Sequence, residues 1–105
     1  MNKKANDPIS PAEFKVKYNH LHNLSTDKDK IRMIRVIASQ YTLEPQQACE
    51  LIKQVQSFTS IVELCAELQY LTSDEDDFVH DALELCKYPE DRVEMCTMLE
   101  VEYIP

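Results

Sequence analysis

Apolar positions along this chain recur at helical spacing, and the pattern they make returns. Ile31, Ile34 and Ala38, followed by Tyr41-Thr42, come back thirty residues on as Ile61, Leu64 and Leu68, followed by Leu71-Thr72. A third start, Val93 and Cys96, follows thirty-two residues later. Amphipathic helices repeated at a period of this size mark stacked units that bury a face only against their neighbours. No segment alternates for long enough to be a strand.

Six helices can be placed from start signals and apolar stripes. Ser10-Pro11-Ala12-Glu13 combines an N-cap serine, a proline at the first helical position and a glutamate three residues on. Phe14, Tyr18 and Leu21 give that first helix its apolar face as far as Asn23-Leu24. The second follows Ser25-Thr26-Asp27 and runs to about Tyr41, with Ile31, Ile34, Ile37, Ala38 and Tyr41 inside an arc of about 120°. Pro45 opens the third, where Ala48, Leu51, Ile52 and Val55 share a face. The fourth starts within Ser57–Ser60 and reaches Leu71, and it is apolar around most of its circumference, which predicts a central spine. Thr72-Ser73-Asp74-Glu75 caps the fifth, lined by Phe78, Val79, Ala82, Leu83 and Cys86. Pro89 opens a sixth with a less regular stripe of Val93, Met95, Cys96, Met98 and Leu99.

The connections are two to five residues long, so sequential helices are expected to pack as antiparallel neighbours. The fold class read from this pattern is all-α: about six short helices in antiparallel pairs, forming a compact, solenoid-like helical-repeat array. Residues 1–9 are expected to be a flexible tail and 10–105 one helical domain. Within it, helix-pair repeats fall near 28–56 and 58–87, with a partial third at 89–103.

The stretch Tyr41-Thr42-Leu43-Glu44-Pro45-Gln46-Gln47, with Phe58, Leu71-Thr72-Ser73-Asp74 and Tyr88-Pro89 opening later helices, resembles an uncharacterised family of short, internally duplicated all-helical domains. The resemblance covers roughly residues 27–101 and leaves 1–26 outside. That family is catalogued as a domain of unknown function. The resemblance therefore implies paired short helices and supplies no active site.

Composition removes several classes of chemistry. The chain has no glycine, and phosphate-cradling loops, dinucleotide fingerprints and nucleophile elbows all need glycine where backbone approaches a ligand or turns to positive φ. Helices must also close without a glycine cap, which leaves Asn23 or other polar residues at their ends. Cys49, Cys65, Cys86 and Cys96 contain no close ligand pair of the kind a structural zinc site uses, and each falls on or beside an apolar stripe. Four reduced, buried thiols are expected. His20 and His22 sit about 200° apart on a helix, so they do not chelate together, and His80 is isolated. Asp74-Glu75-Asp76-Asp77 fails the calcium-loop template and reads as a helix cap. No metal and no cofactor is expected, and no serine or cysteine is paired in sequence with a histidine.

An N-terminus without a signal-peptide stretch and the lack of a long apolar run point to a cytoplasmic chain with no membrane role. Charge adds the one unusual surface feature. Residues 1–60 carry nine Lys/Arg against six Asp/Glu, whereas 61–105 carry two against thirteen, and the whole chain stands at −8. So acidic a chain is not expected to bind nucleic acid. On the fifth helix Asp74, Asp77, Asp81 and Glu84 fall inside an arc of about 80°, opposite the apolar face. These four residues are the candidate binding site, and Lys28, Arg32 and Arg35 share one side of the second helix. The expected function is a noncatalytic protein–protein interaction module whose acidic face takes a basic segment of a partner. A self-associating assembly domain using the sixth helix, and an enzyme of unrecognised type, are the alternatives. The competing reading of the same charges is a solvated face that only keeps the protein soluble.

Overall fold

A computed structural model describes residues 7–103, and within them the chain forms six α-helices. They are α1 (Pro11–His22), α2 (Asp27–Gln40), α3 (Pro45–Ile52), α4 (Phe58–Leu68), α5 (Glu75–Leu83) and α6 (Pro89–Leu99). The start signals act as the sequence implies. Ser10, Thr26, Ser57 and Asp74 each accept a hydrogen bond from the backbone N–H three residues on, satisfying a donor that the first turn leaves unpaired. Prolines stand in the first turns of α1, α3 and α6.

The helices form two layers, and this differs from the expected pairing. α1, α3 and α5 pack in succession, and so do α2, α4 and α6, while α1 packs on α2, α3 on α4 and α5 on α6. The pairs are thus α1/α2, α3/α4 and α5/α6. α4 and α5, expected as one repeat over 58–87, make no substantial contact with each other. The reason lies in the connectors. Leu43 and Thr72 form a parallel bridge, with Ser73 N–H donating to Leu43 C=O at 3.0 Å, which carries the chain leaving α4 across to α3.

A second parallel bridge, between Pro8 and Thr42, ties down part of the expected tail. Thr42 N–H donates to Asp7 C=O at 3.0 Å, Ile9 N–H donates to Thr42 C=O at 3.3 Å, and Ile9 is 5% exposed within the core. Residues 7–9 therefore belong to the domain; residues 1–6 lie outside the described residues. The two bridges align the segments that precede α1, α3 and α5, and so set the N-termini of these three helices along one edge.

The repeat has a different register from the one read by matching like residues. α2, α4 and α6 begin at Asp27, Phe58 and Pro89, so their period is thirty-one in both steps, not thirty and then thirty-two. Ile34, Cys65 and Cys96 are register equivalents, as are Ile37, Leu68 and Leu99, and all six are buried. Pairing Ile31 with Ile61 slides α4 by one residue, which turns a helix by about 100°. In the other layer the thirty-residue period holds from α3 to α5, where Ala48 and Ile52 correspond to Phe78 and Ala82.

The spine is shared by two helices. α4 buries Ile61, Val62, Leu64, Cys65 and Leu68, but α3 packs against α1, α2, α4 and α5 and is the hub. Its small Ala48 and Cys49 let neighbours approach closely. α4 also ends at Leu68, short of the expected Leu71, and the side chains of Tyr70 and Leu71 are exposed. Gln69, 5% exposed, is a buried polar residue, and its Nε2 donates to Leu99 C=O at 3.1 Å, closing the last turn of α6. Helix ends manage without glycine in three ways, and Tyr41 closes α2 in extended geometry. Asn23 closes α1 in right-handed geometry, and Glu100 closes α6 in the left-handed region at φ 58°, ψ 40°.

Candidate functional site: an acidic notch at two helix N-termini

The bridge between Leu43 and Thr72 sets the first turn of α3 beside the first turn of α5. The notch between them is lined by Glu44, Pro45, Gln46, Ser73, Asp74, Asp77 and Asp81. Asp74 is the N-cap of α5, its Oδ1 accepting from Asp77 N–H at 3.1 Å. Glu44 is the N-cap of α3, and its backbone N–H donates to Gln47 Oε1 at 2.9 Å. Acidic side chains here face the positive ends of two helix dipoles, which lowers the cost of grouping them. Asp81 is half-buried against α3, where its charge helps to hold the Cys49 thiol neutral.

Three of the four residues singled out on the fifth helix, Asp74, Asp77 and Asp81, are thus brought together. Glu84 is not. It lies at the C-cap of α5 and lines a separate groove with Lys53, Phe58, Lys87, Tyr88 and Asp91. An arc on one helix says nothing of position along its axis, and Glu84 stands at the end of α5 opposite the Asp74 cap. Glu44 is the member that reasoning from one helix missed. The thirty-residue shift carried the signal, because it makes Glu44 and Asp74 equivalent capping positions.

No lysine, arginine or histidine among the described residues reaches ion-pair distance of Glu44, Asp74, Asp77 or Asp81. The cation and carboxylate that do pair are Arg35 and Glu67, which join α2 to α4 through bonds of 2.9 and 2.7 Å. Lys28, Arg32 and Arg35 line an open groove along α2 that reaches Ser60 of α4 and includes Ile31 and Val36. The molecule therefore carries a basic groove on one helix and an acidic notch between two others.

None of the cysteines and none of the histidines lines the notch. All four thiols are free and buried; burial pushes Cys49 up to about 12, and Cys65 and Cys86 in the same direction. A thiol held protonated is a poor nucleophile and a poor metal ligand. Among the described residues no three histidine, cysteine or acidic side chains are grouped so as to hold a metal ion. His22 stacks on Tyr18 with ring centroids 6.5 Å apart and meets Gln54 at 3.2 Å, while His20 and His80 are exposed. No helix among the described residues is long and apolar enough to cross a membrane.

Compared with known proteins, the chain matches no family model, no curated protein and no solved structure. The likeness to duplicated helical domains is accordingly one of sequence pattern, and the residues of the notch are the basis for a reading of function.

Proposed function

We propose that this protein is a noncatalytic protein–protein interaction module, and that the notch between α3 and α5 receives a basic segment of its partner. The observation that carries this reading is the set of four carboxylates, Glu44, Asp74, Asp77 and Asp81, with no lysine, arginine or histidine at ion-pair distance among the described residues. Bringing like charges together costs free energy in the isolated protein, and an arriving lysine or arginine side chain relieves it. Arginine suits the site best, because its planar fork pairs with carboxylates in two places at once. The notch is open to solvent, and no histidine stands among its lining residues to activate the Ser73 hydroxyl, which favours recognition over chemistry.

Titrating an arginine-rich peptide into the protein tests the reading, with binding followed by backbone amide shifts. Shifts should concentrate on residues 44, 46, 73, 74, 77 and 81, and affinity should fall steeply with added salt, since exposed charges are screened beyond about 8 Å at physiological ionic strength. The triple variant E44Q/D77N/D81N should fold normally by circular dichroism and bind at least about tenfold more weakly, a loss of about 1.4 kcal/mol. Unchanged affinity in that variant overturns the assignment of the notch.

A further inference from the structure

The thirty-one-residue register of α4 and α6 extends to the connectors that lead into them. α5 has nine residues against the eight of α3, and the extra one brings the turn after α5 into step. Gln54 N–H donates to Leu51 C=O and Val55 N–H to Ile52 C=O. Thirty-one residues on, Leu85 N–H donates to Ala82 C=O and Cys86 N–H to Leu83 C=O. The two connectors therefore turn alike. What differs is how each one meets the helix start of the preceding unit.

The first seam, between the start of α2 and the α3–α4 connector, is laced by polar groups. The Asp27 carboxylate accepts from the N–H groups of Gln56 and Ser57 at 3.0 and 2.9 Å. Lys30 Nζ donates to Gln54 C=O at 3.2 Å, and Gln54 Nε2 donates to the Tyr18 hydroxyl at 2.8 Å. In the second seam, between the start of α4 and the α5–α6 connector, the register equivalents of Asp27, Lys30 and Gln54 are Phe58, Ile61 and Leu85. The lacing is gone. Lys87 and Tyr88 are the equivalents of Gln56 and Ser57, and among the described residues their N–H groups meet no acceptor of the protein. The second seam is a cleft of about 620 Å³, a volume within the range of small-molecule sites. Ile61 is buried in its wall, and Phe58 and Leu85 are half-buried there against the core. Lys53 and Lys87 bring positive charge to it and Glu84 and Asp91 negative charge, with no ion pair among the four.

We propose that this cleft binds a small monocarboxylate with an apolar body, of the medium-chain fatty acid class, whose carboxylate takes the place that Asp27 fills in the preceding unit. The fork of two adjacent N–H groups holds a carboxylate in the first seam, and the same turn presents the same fork in the second. Backbone donors of this kind are satisfied by an anion that reaches both. The ammonium groups of Lys53 and Lys87 make such bonds charge-assisted. Phe58, Ile61 and Leu85 supply the apolar wall that a hydrocarbon body needs, where the first seam offers charged and amide groups. Glu84 and Asp91 offset the two lysines, so a polyanion is disfavoured and a single negative charge is suited. The cleft lies at the opposite end of α5 from the notch, and neither site depends on the other.

Decanoate is a suitable probe for the full chain, with decanol as the control that keeps the apolar body and removes the charge. Binding is followed by backbone amide shifts, kept below the concentration at which decanoate forms micelles. Decanoate should bind saturably and at least about tenfold more tightly than decanol. The largest shifts should fall on the Lys87 and Tyr88 amides. Phe58→Asp restores a carboxylate at the position of Asp27, so it should close the fork from within and weaken decanoate at least about tenfold. Phe58 is half-buried, and a second variant guards against a loosened fold. K53Q/K87Q changes two exposed side chains, and it should fold normally by circular dichroism while weakening decanoate at least about tenfold and leaving decanol unchanged. The notch variant E44Q/D77N/D81N should bind decanoate within about twofold of the native chain, which separates a failure of the cleft from a failure of the notch. Absence of saturable decanoate binding overturns the proposal, as does decanol binding equally well. Native affinity in K53Q/K87Q, or Lys87 and Tyr88 amides that do not move, overturns it too.

Discussion

Asp27 shows how one side chain can join distant parts of the chain. It opens α2, yet its carboxylate accepts from Gln56 N–H at 3.0 Å and Ser57 N–H at 2.9 Å, in the connector between α3 and α4. Those two backbone bonds, Gln56 first, lower its pKa, with nearby Lys30 adding to the shift. A carboxyl whose pKa is lower in the folded state contributes stability above the unfolded value, and loses it as pH falls through the folded value. Asp27→Ala should therefore cost about 1 kcal/mol near neutrality, as loss of an exposed charge-assisted pair of bonds does. Its stability should converge on that of the native protein as pH drops below about 4. Urea melts across that range check the expectation, and a pH-independent deficit would point to packing instead. The acid at the helix start was legible in the sequence. Its partners about thirty residues away were not, because a bond between connectors leaves no periodic trace.

At the scale of the element, caps and apolar stripes were legible because both are local. Thr26, Ser57 and Asp74 begin the helices that their side chains imply, and prolines mark three further starts. Packing order was not legible. Nothing in the residues 69–74 says that the chain crosses over to α3, since what carries it there is a backbone bond to Leu43, and backbone groups are the same at every position. The apolar circumference of α4 correctly marked a buried helix; small Ala48 and Cys49, which make α3 the hub, look modest on any hydrophobicity pattern. Leu68 tests the packing directly. It lies in the buried register shared with Ile37 and Leu99 on the adjacent helices of its layer, so Leu68→Ala should destabilise by about 2–5 kcal/mol. Lys53→Ala, on the exposed side just past α3, should cost under about half a kcal/mol. Comparable losses in denaturant melts would contradict the placement of α4 between α2 and α6.

For the whole molecule, the candidate site was legible in part: the sequence shows the acids of α5, but only the alignment of helix N-termini along one edge adds Glu44 and takes Glu84 away. The same alignment has a consequence for stability that needs no partner. With a net charge of −8 and no ion pair to the notch carboxylates among the described residues, the folded chain works against its own field. Screening that field should help the native state, so the melting temperature should rise as sodium chloride is added from low ionic strength to about 0.5 M, where the Debye length falls to a few ångströms. Much of the response should come from the notch. Asp77 and Asp81 stand four residues apart on α5, a like-charge spacing that costs about 0.2–0.5 kcal/mol on a helix surface, and Glu44 adds to it from α3. E44Q/D77N/D81N should therefore be more stable than the native chain at low salt and should gain less on adding salt, the two melting curves approaching each other at high ionic strength. If instead the triple variant is less stable at every salt concentration, the carboxylates support the fold by capping and hydrogen bonding. The notch would then be a structural feature of two helix starts, with no charge held in reserve for a partner.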